Sequence, residues 1–479
     1  MDRHKIITTL QEVWGYSDFR PPQFEVITSL LAKQDTLVVM PTGGGKSLCF
    51  QLPALLQSGL TIVVSPLIAL MENQVQQLDQ LRNRELKACL IHSQQSKSDR
   101  RSILGNLNQF KLLYVAPETL LSPTVWQRLI QPDLEINYLV VDEAHCLVQW
   151  GATFRPSYTR LGAIRDSLLA NKPKKSKLTL AAFTATADPQ TQRKITKTLR
   201  LKQPKRFIFS PYRSNLNLQV KTVWTPRQRK AEISRFTEKQ QQHTGIIYVQ
   251  SRRASEELAA YLRSQKIQAL AYHAGLLSSR KRVIELDWLT GKLPIVICTS
   301  AFGMGIDKKN CRWVLHYQVP SLIAEYIQEV GRSGRDGNLA HGLALASEPS
   351  GLLDPSDKQR IQFRQKQLGQ QNLKAQKIFA QLPDQGNILE MKKQIPELDL
   401  TLGVLQNQDL IRWQDPWNFK KTSNLTKKPQ LPHPSTSTQM SKFLRTRTCR
   451  WQFILSAFGF QQKADQFSCG HCDRCLGKK

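Results

Sequence analysis

The sequence has no apolar run near the length, about 18 residues, that a membrane-spanning helix requires. Its longest apolar run, around residues 61–70, is broken by Ser65 and Pro66. The first residues, MDRHKIITTLQEVWGY, also lack the apolar core of a secretory signal. These absences argue against a membrane protein and predict a cytoplasmic one with no membrane partner. A length of 479 residues favours about three domains.

Acidic residues are scarce in this chain. It has 37 Asp and Glu against 68 Lys and Arg, which gives a formal net charge of +31. Such an excess predicts a polyanionic partner, most often nucleic acid, and a generally basic soluble protein is the alternative on charge alone. Between residues 421 and 450, seven residues are basic and none is acidic. Because residues 421–442 are rich in Pro, Ser, Thr and Lys, we expect an exposed loop there.

The cysteines do not suit a disulfide framework. There are nine, an odd number, in a long chain that lacks a signal peptide. Four of them crowd the C-terminus. The other five stand singly, mostly in apolar surroundings, and we expect buried free thiols at Cys49, Cys89, Cys146, Cys298 and Cys311.

Short apolar runs alternate with longer amphipathic stretches over most of the chain. This alternation is typical of an α/β fold in which helices cover both faces of a buried parallel sheet. The pattern restarts near residue 208, so the sequence predicts two tandem, doubly wound parallel-sheet lobes. The predicted strands are 36–40, 61–65, 111–116, 138–142, 178–185, 244–251, 267–274, 293–300 and 311–319.

Four domains follow from this reading. The rhythm of strands and helices stops after about residue 352, and residues 397–413 then predict a helix followed by a strand. The predicted domains are a first lobe at 1–207, a second lobe at 208–350, a helical and loop-rich insertion at 351–440, and a small helical, zinc-binding region at 441–479.

The stretch VVMPTGGGKS (38–47) nearly matches the phosphate-binding pattern G-x-x-x-x-G-K-[ST], but Met40 stands where the first glycine belongs. In such a loop, backbone N–H groups at a strand-to-helix turn bind phosphate oxygens, a lysine adds charge, and Ser or Thr binds Mg²⁺. A glycine-rich turn without a ligand is the alternative. The predicted nucleotide-binding residues here are Thr42, Gly43, Gly44, Gly45, Lys46 and Ser47, with Ser47 as the metal ligand.

A second motif, YLVVDEAH, ends an apolar strand with Asp142 and Glu143. A carboxylate at the C-terminal end of a parallel strand lies beside the phosphate-binding loop in such sheets. Asp142 can then hold Mg²⁺ through water, and Glu143 can orient and deprotonate the attacking water. Two acids that only cap the next helix are the alternative. Because both motifs occur in order in one α/β unit, we predict that the loop binds a nucleoside triphosphate despite Met40.

The second lobe carries a third element, QEVGRSGRDG (328–337). It places Arg332 and Arg335 three residues apart, on one face if the stretch is helical. Phosphoryl transfer needs positive charge opposite the loop lysine, which an arginine finger supplies. If this lobe carries the finger, hydrolysis requires the lobes to close and is converted into a change in lobe separation.

The four C-terminal cysteines follow the pattern C-x19-C-x2-C-x2-C. Four thiolates at such spacing can surround a tetrahedral Zn²⁺, and a filled shell makes the site structural. His471 could replace a ligand, but its place between two of the cysteines argues for another role. Unligated thiols are the alternative. The predicted zinc ligands are Cys449, Cys469, Cys472 and Cys475.

In their order, these motifs resemble the core of superfamily 2 helicases and, more narrowly, the RecQ family of DNA helicases. The narrower resemblance rests on WGYSDFRPPQ (14–23), QWGATFRPSY (149–158) and the cysteine cluster, and it covers about residues 5–345 and 445–476. The other motifs of the series are MPTGGGKS, SPLIAL, DEAHC, FTATA, IIYVQSR, YHAGL, TSAFGMGID and QEVGRSGRDG.

The resemblance implies two RecA-like lobes and ATP hydrolysis coupled to 3′-to-5′ movement on single-stranded DNA, with a role in DNA repair or recombination. It implies that Arg20 and Gln23 contact the adenine and that Thr184 and Thr186 relay between the two sites. The two arginines of QEVGRSGRDG would reach the phosphates, with Arg335 as the finger. The implied cofactors are ATP, Mg²⁺ and Zn²⁺.

The resemblance also implies the DNA contacts. Residues 150–158 match the family's aromatic-rich loop, which senses DNA and reports it to the ATP site. Trp150 and Phe154 can stack on bases, and Arg155 can meet a phosphate or a carboxylate. Ordinary packing of aromatic side chains is the alternative. His273, in YHAGL, is a further DNA-binding candidate.

The sequence departs from the family pattern at two places. Many members have His after the Trp-Gly of the aromatic-rich loop, but Ala152 stands here, so we expect one coupling contact to be lost. The sequence also ends at Lys479, soon after the cysteines. We therefore expect a short form without the winged-helix and HRDC domains that many members carry beyond this point.

Two other functions stay open at the level of sequence. One is an RNA helicase or a translocase that moves without separating strands, because stacking and backbone contacts tolerate base and sugar. The other is a non-catalytic, zinc-containing DNA-binding protein, against which the intact Lys46, Glu143 and Arg335 argue. The expected partners are single-stranded and 3′-tailed or forked DNA, and single-stranded-DNA-binding and repair proteins, with the chain acting as a monomer.

Overall fold

The computed structural model describes residues 2–81, 85–149, 155–303, 306, 308–422 and 435–477. The chain divides into two compact units. The first consists of Met1–Phe209 and Leu368–Leu431, and the second of Ser210–Gln367 and Pro432–Lys479. Among the described residues, no helix has the length and apolar character needed to cross a bilayer.

The first unit contains a seven-stranded, fully parallel sheet in the order β3-β4-β2-β5-β6-β1-β7. All five strands predicted for this lobe are present. The two edge strands, β3 and β7, were not predicted; β3 buries only alternate residues, and β7 exposes Lys205 and Arg206. The strands are β1 Thr36–Val39, β2 Leu60–Val64, β3 Ala88–Ile91, β4 Leu112–Val115, β5 Ile136–Val141, β6 Thr179–Thr184 and β7 Lys205–Ile208.

Helices cover both faces of this sheet, because successive residues of each buried strand point to opposite sides. Leu37 and Val39 join the core cluster on one face, and Val38 and Met40 join the cluster on the other. Short 3₁₀ helices occur at Leu107–Gln109 and Pro156–Ala163. The α-helices are α1 Arg3–Trp14, α2 Gln23–Leu31, α3 Lys46–Leu56, α4 Ile68–Asp79, α5 Lys97–Gly105, α6 Pro117–Leu120, α7 Pro123–Leu129, α8 Cys146–Gln149, α9 Ile164–Leu169 and α10 Pro189–Thr198.

The second unit contains a six-stranded parallel sheet in the order β10-β11-β9-β12-β13-β8. The four strands predicted there are present, so the two-lobed, doubly wound fold class is confirmed. The strands are β8 Leu216–Val223, β9 Gly245–Tyr248, β10 Ala269–Tyr272, β11 Ile295–Cys298, β12 Trp313–His316 and β13 Ala340–Ser347. The helices are α11 Pro226–Lys239, α12 Arg252–Ser264, α13 Ser278–Thr290, α14 Ile323–Val330 and the long α15 Ser356–Gln381, which contributes residues to both units.

Beyond α15, the chain adds a small antiparallel sheet in the order β14-β16-β15 and then the C-terminal helices. The helix and strand predicted at 397–413 are confirmed by α17 and β15. These elements are β14 Gln385–Asn387, α16 Ile388–Met391, α17 Leu398–Asn407, β15 Ile411–Trp413, β16 Asn418–Lys421, α18 Ser435–Arg445, α19 Arg450–Ala457, α20 Gln461–Ala464 and α21 Asp473–Leu476.

The exposed loop predicted at 421–442 is wrong for its C-terminal part, because residues from Ser435 onward form α18. Apolar residues at helical spacing explain the difference, since Met440 and Phe443 are buried in the core of the second unit. Arg450, counted in the basic run, is fully buried. Residues 423–434 of the predicted loop lie outside the described residues.

Candidate nucleotide and zinc sites

The predicted phosphate-binding loop joins β1 to α3. Gly43 has φ +83°, and Gly45, the N-cap of α3, has φ +77°. Both conformations are left-handed and suit glycine. The loop therefore leads directly into a helix N-terminus, where unpaired backbone N–H groups favour anions. The Lys46 ammonium donates a hydrogen bond to the Met40 carbonyl oxygen at 3.2 Å, which holds it over the loop.

Met40, the departure from the loop pattern, is a core residue. Its N–H donates to the Thr184 carbonyl oxygen at 3.0 Å, which extends the β1–β6 ladder by one residue. A Cβ atom on Gly44 would lie 2.7 Å from Met40 Cγ, so the glycine lets the loop pack directly against this side chain. Met40 thus supports the loop from the core.

Gln23 and Arg20, the predicted adenine contacts, are held beside the same loop. The buried Gln23 amide donates to the carbonyl oxygens of Gly44 at 3.2 Å and Gly45 at 3.3 Å. Arg20 donates to the Gly43 carbonyl oxygen at 3.4 Å, and its guanidinium is exposed. The N-terminal motif and the phosphate-binding loop therefore form one cluster.

Asp142 and Glu143 follow β5 at the same edge of the sheet. Strands β5 and β1 lie on either side of β6, so their carboxyl ends point the same way. Asp142 accepts a hydrogen bond from the Glu143 N–H at 2.9 Å. Burial raises the pKa of Asp142 to about 7, Glu143 acts in the same direction, and Lys46 opposes it. The carboxylate is thus placed where a cation would relieve the cost of its burial.

His145 connects this acidic pair to β6, a contact that the sequence did not predict. Its Nδ1 lies 3.2 Å from a Glu143 carboxylate oxygen and 3.0 Å from the Thr184 hydroxyl. Burial lowers the pKa of His145, but Cys146 and Glu143 together raise it by more than burial lowers it. The net shift of this pKa is therefore upward. Thr184 and Thr186, the predicted relay residues, are both buried, and the Thr184 hydroxyl also contacts the Thr186 carbonyl oxygen at 3.2 Å. The spacing D-E-x-H was the available signal for His145.

In the second unit, Arg332 and Arg335 do not share a helical face as the sequence suggested. Helix α14 ends at Val330, and both arginines lie in the turns that follow. They nevertheless reach one short segment after β11. Arg332 donates to the Gly303 carbonyl oxygen, and Arg335 donates to the Ile306 carbonyl oxygen at 3.0 Å.

The four predicted zinc ligands come together in the second unit. The Sγ atoms of Cys449, Cys469, Cys472 and Cys475 all lie within 4.8 Å of one another. Individual Sγ–Sγ distances are 3.5, 3.8 and 3.9 Å. Four thiolates around Zn²⁺ at its usual Zn–S distance are separated by about 3.8 Å, so the cluster fits this ion.

Backbone N–H groups orient these sulfur atoms. The N–H groups of Arg450, Cys469 and Cys472 each lie 3.3–3.4 Å from a cysteine Sγ. His471, which was not expected to be a ligand, instead places Nε2 3.3 Å from the Tyr212 hydroxyl. The five scattered cysteines are buried free thiols, as predicted.

The zinc region is fastened to the edge of the second sheet. Trp451 donates from its indole nitrogen to the Leu216 carbonyl oxygen at 3.1 Å. Asp473 accepts from the N–H of Val220 at 3.2 Å and from the buried Arg450 guanidinium at 2.9 and 2.8 Å. Ligand cysteines and β8 are therefore tied together through one buried ion pair.

Comparison with known proteins agrees with this arrangement of sites. The family descriptions that match are DEAD/DEAH box helicase at residues 20–195, helicase conserved C-terminal domain at 228–337 and RecQ zinc-binding at 409–476. A Synechocystis protein named ATP-dependent DNA helicase RecQ is 46% identical over 478 residues, which cover 99% of this chain and 99% of that protein. The chain belongs to the RecQ family.

Other relatives match smaller shares of their own length. The RecQ helicase of Haemophilus influenzae is 37% identical over 382 residues, covering 79% of this chain and 59% of that protein. Among solved structures, the Mycobacterium smegmatis helicase Lhr bound to single-stranded DNA and AMP-PNP has a TM-score of 0.57 and 19% identity, covering 92% of this chain and 61% of that one. The structural likeness concerns the fold.

The DNA-contact residues suggested by the RecQ resemblance fall in several places. Trp150, Phe154 and the neighbouring Ala152 lie outside the described residues. Arg155 pairs with the Glu118 carboxylate at 3.0 Å, one of the two partners expected for it. In the second unit, His273 follows β10 and places Nε2 2.9 Å from the Glu256 carboxylate.

Proposed function

We propose that this chain, an ATP-dependent DNA helicase of the RecQ type, couples ATP hydrolysis to 3′-to-5′ movement on single-stranded DNA and separates duplexes in DNA repair or recombination. One observation carries the proposal. The loop ending in Lys46 and the acids Asp142 and Glu143 share the carboxyl edge of one parallel sheet, in a chain that matches a RecQ helicase over 99% of its length.

In the proposed reaction, Lys46 and the N–H groups at residues 43–47 bind the β- and γ-phosphates of ATP. Ser47 and Asp142 are the residues suited to hold Mg²⁺, which would neutralise charge on those phosphates. Glu143 accepts a proton from the attacking water, and its contact with His145 fixes the orientation of the carboxylate. Gln23 ties adenine recognition to the loop through the carbonyl groups that it already holds.

The roles of the second-lobe arginines remain part of the proposal. Arg335 is the proposed finger, and Arg332 is the proposed phosphate contact. Fixed positive charge aimed at the γ-phosphate stabilises the transition state of phosphoryl transfer more than the ground state. The carbonyl groups of the 303–306 segment that these side chains now contact are neutral acceptors, which an anionic phosphate would outcompete.

Zinc has a structural role in the proposal. The thiolates of Cys449, Cys469, Cys472 and Cys475 would supply all four ligands of the ion, so no position would be left open for water or substrate. The bound ion would hold α19 and α21 together, in addition to the ion pair between Arg450 and Asp473 that joins the same two helices. Asp473, which accepts hydrogen bonds from both Arg450 and the Val220 N–H, then connects these helices to β8 of the second sheet.

The proposed DNA contacts are Trp150, Phe154 and Arg155 in the first lobe and His273 in the second. The preferred substrates would be single-stranded and 3′-tailed or forked DNA. A monomeric state, a cytoplasmic location and association with single-stranded-DNA-binding and repair proteins also remain proposals.

The decisive experiment compares ATP hydrolysis without nucleic acid, with single-stranded DNA, and with RNA of the same sequence. We expect DNA to stimulate hydrolysis far more than RNA. Duplexes with a 3′ or a 5′ single-stranded tail then report direction, and only the 3′-tailed duplex should be unwound. Stronger stimulation by RNA, or preferential unwinding from a 5′ tail, would contradict the proposal.

A further inference from the structure

The insertion between the second lobe and the zinc region folds as a small module, residues 384–421. This module packs against the C-terminal end of α15. Helix α15 is followed by β14, by α16 and α17, and by the hairpin β15–β16, which completes a three-stranded antiparallel sheet. This order is that of a helix-turn-helix with a wing. In helix-turn-helix proteins the second helix enters the major groove of DNA, and α17 is the equivalent helix here.

In this chain, however, α17 and β15 face the 3₁₀ helix Pro156–Ala163 of the first lobe, which belongs to the same compact unit. Ala163 is buried in the core of the module together with Leu402 and Trp413. The hairpin also places Trp417 edge-on to Trp126 of α7, with ring centroids 4.9 Å apart. These contacts bury the surface that would read DNA, so the module is used as an internal interface.

The charge of the module supports this reading. Residues 384–421 contain five basic and six acidic residues, in a chain whose net charge is +31. Phosphate binding requires an excess of Lys and Arg over acidic residues, and this module has no such excess. Two of its acidic residues instead face basic residues of the first lobe: Asp409 pairs with Lys197 at 2.6 Å, and Asp399 lies 3.9 Å from Arg160.

Arg160 lies at the centre of the interface and is 8% exposed. On the module side, it donates to the Pro416 carbonyl oxygen at 3.4 Å, lies 3.9 Å from the Asp399 carboxylate, and has its guanidinium 5.8 Å from the centre of the Trp413 ring. On its own side, it donates to the Ser157 hydroxyl at 3.0 Å. A planar guanidinium can serve all these partners at once, which a lysine could not.

Ser157, to which Arg160 donates, lies at the described end of the segment assigned to DNA sensing. Ser157 and Tyr158 belong to that segment, and the Tyr158 N–H donates to the Arg155 carbonyl oxygen at 3.1 Å. The Tyr158 ring is buried in the same core cluster as Cys146, which follows the acidic pair of the ATP site. The 3₁₀ helix is therefore packed between the module and α8, the helix that follows the acidic pair.

We propose that the 384–421 module is an intramolecular bracket and that Arg160 is the positioning residue through which it holds residues 155–158 against the ATP site. The bracket sets how strongly bound DNA accelerates ATP hydrolysis. This second statement rests on the proposed function, whereas the bracket itself can be tested without DNA.

The first test measures amide hydrogen exchange of residues 155–163 in the full chain without DNA. In Arg160→Gln, exchange there should be faster by about tenfold or more, because hydrogen bonds made by a buried charged group are lost. Asp399→Asn should accelerate exchange in the same residues to a smaller extent. The matched control is Asp409→Asn, which removes an exposed ion pair of the same module with α10 and places Asn at φ +60°, a conformation that Asn tolerates. It should leave exchange unchanged.

The second test measures ATP hydrolysis across a series of single-stranded DNA concentrations. In Arg160→Gln, the rate without DNA should stay within about twofold, while the DNA-stimulated kcat should fall about fivefold or more at an unchanged Kd for DNA. Adding Asp399→Asn to Arg160→Gln should cause no further loss, because the other ion pair of Asp399, with Lys392, lies within the module and does not reach the 3₁₀ helix.

These measurements separate the bracket from the proposed function. Unchanged exchange at 155–163 in Arg160→Gln would overturn the bracket, whatever DNA does. If Arg160→Gln lowered the rate of ATP hydrolysis equally with and without DNA, Arg160 would have only a structural role. That result would overturn the proposal that the bracket sets the stimulation by DNA. An unmodified protein whose hydrolysis ignores DNA would contradict the proposed function, while the exchange data would still decide whether the bracket exists.

Discussion

The ion pair between Arg450 and Asp473 provides a quantitative test of how the zinc region is attached. The Arg450 side chain is fully buried, and both of its bonds to Asp473 are shorter than 3.0 Å. Asp473 also accepts the N–H of Val220 from β8. The change Asp473→Ala would leave a buried guanidinium without its carboxylate and a strand N–H without its acceptor.

The expected cost follows from burial. Removing one partner of a buried ion pair costs about 3–5 kcal/mol, since the remaining charge stays desolvated. The Asp473 side chain is 22% exposed, which favours the lower end, about 3 kcal/mol. For a unit of roughly 200 residues this corresponds to a fall in Tm of about 6–12 °C.

The measurement is thermal unfolding of the unmodified protein, of Asp473→Ala and of Glu257→Ala. Glu257 forms an ion pair with Arg253 on α12 in the same unit, but both side chains are largely exposed, so its removal should leave Tm unchanged. Zinc content should stay the same in all three proteins, because no cysteine is altered. An Asp473→Ala protein with the Tm of the unmodified protein would refute the assignment of this buried pair as the attachment.

Three further predictions concern the chemistry. Lys46→Ala should abolish ATP hydrolysis, whereas Glu143→Gln should retain ATP binding and lose turnover, and near-normal turnover by Glu143→Gln would remove the base role. Arg335→Ala should lower kcat by about 10³-fold or more at nearly unchanged nucleotide affinity, and a loss confined to affinity would make it a ground-state phosphate contact. Metal analysis should find one zinc per chain, predicted from the four-cysteine cluster, and Cys472→Ser should yield a less stable or insoluble protein. Soluble, freshly purified protein without zinc would reject the site.

The sequence predicted the features whose physical signal is local. Buried strands such as β11 are continuous apolar runs, and the phosphate-binding loop and the cysteine pattern follow from the spacing of a few residues. The strands that escaped prediction carry a weaker signal. β13, AHGLALAS, is built mostly from small residues, and β8 shows polar residues between its buried ones because it lies at the sheet edge.

Contacts between distant segments could not be predicted in this way. The basic run near the C-terminus looked like one solvated loop, yet Arg450 is buried, because Asp473 lies 23 residues further along and supplies its partner. Likewise, nothing near Arg160 in the sequence indicates that it reaches Pro416, 256 residues away. Whether a charged residue is exposed or buried depends on such partners, which only the folded chain brings together.

Met40 illustrates how a pattern can fail while its physical requirement is met. The first glycine of the loop pattern matters only where a side chain would enter the phosphate space. Here the residue is still part of the β1 ladder through its bond to Thr184, and alternation along the strand turns its side chain into the core. The close approach that the loop needs is supplied instead by Gly44, where a Cβ would come within 2.8 Å of Met40 Cγ and Sδ. The glycine requirement has therefore moved from residue 40 to residue 44, and the loop geometry depends on the pair.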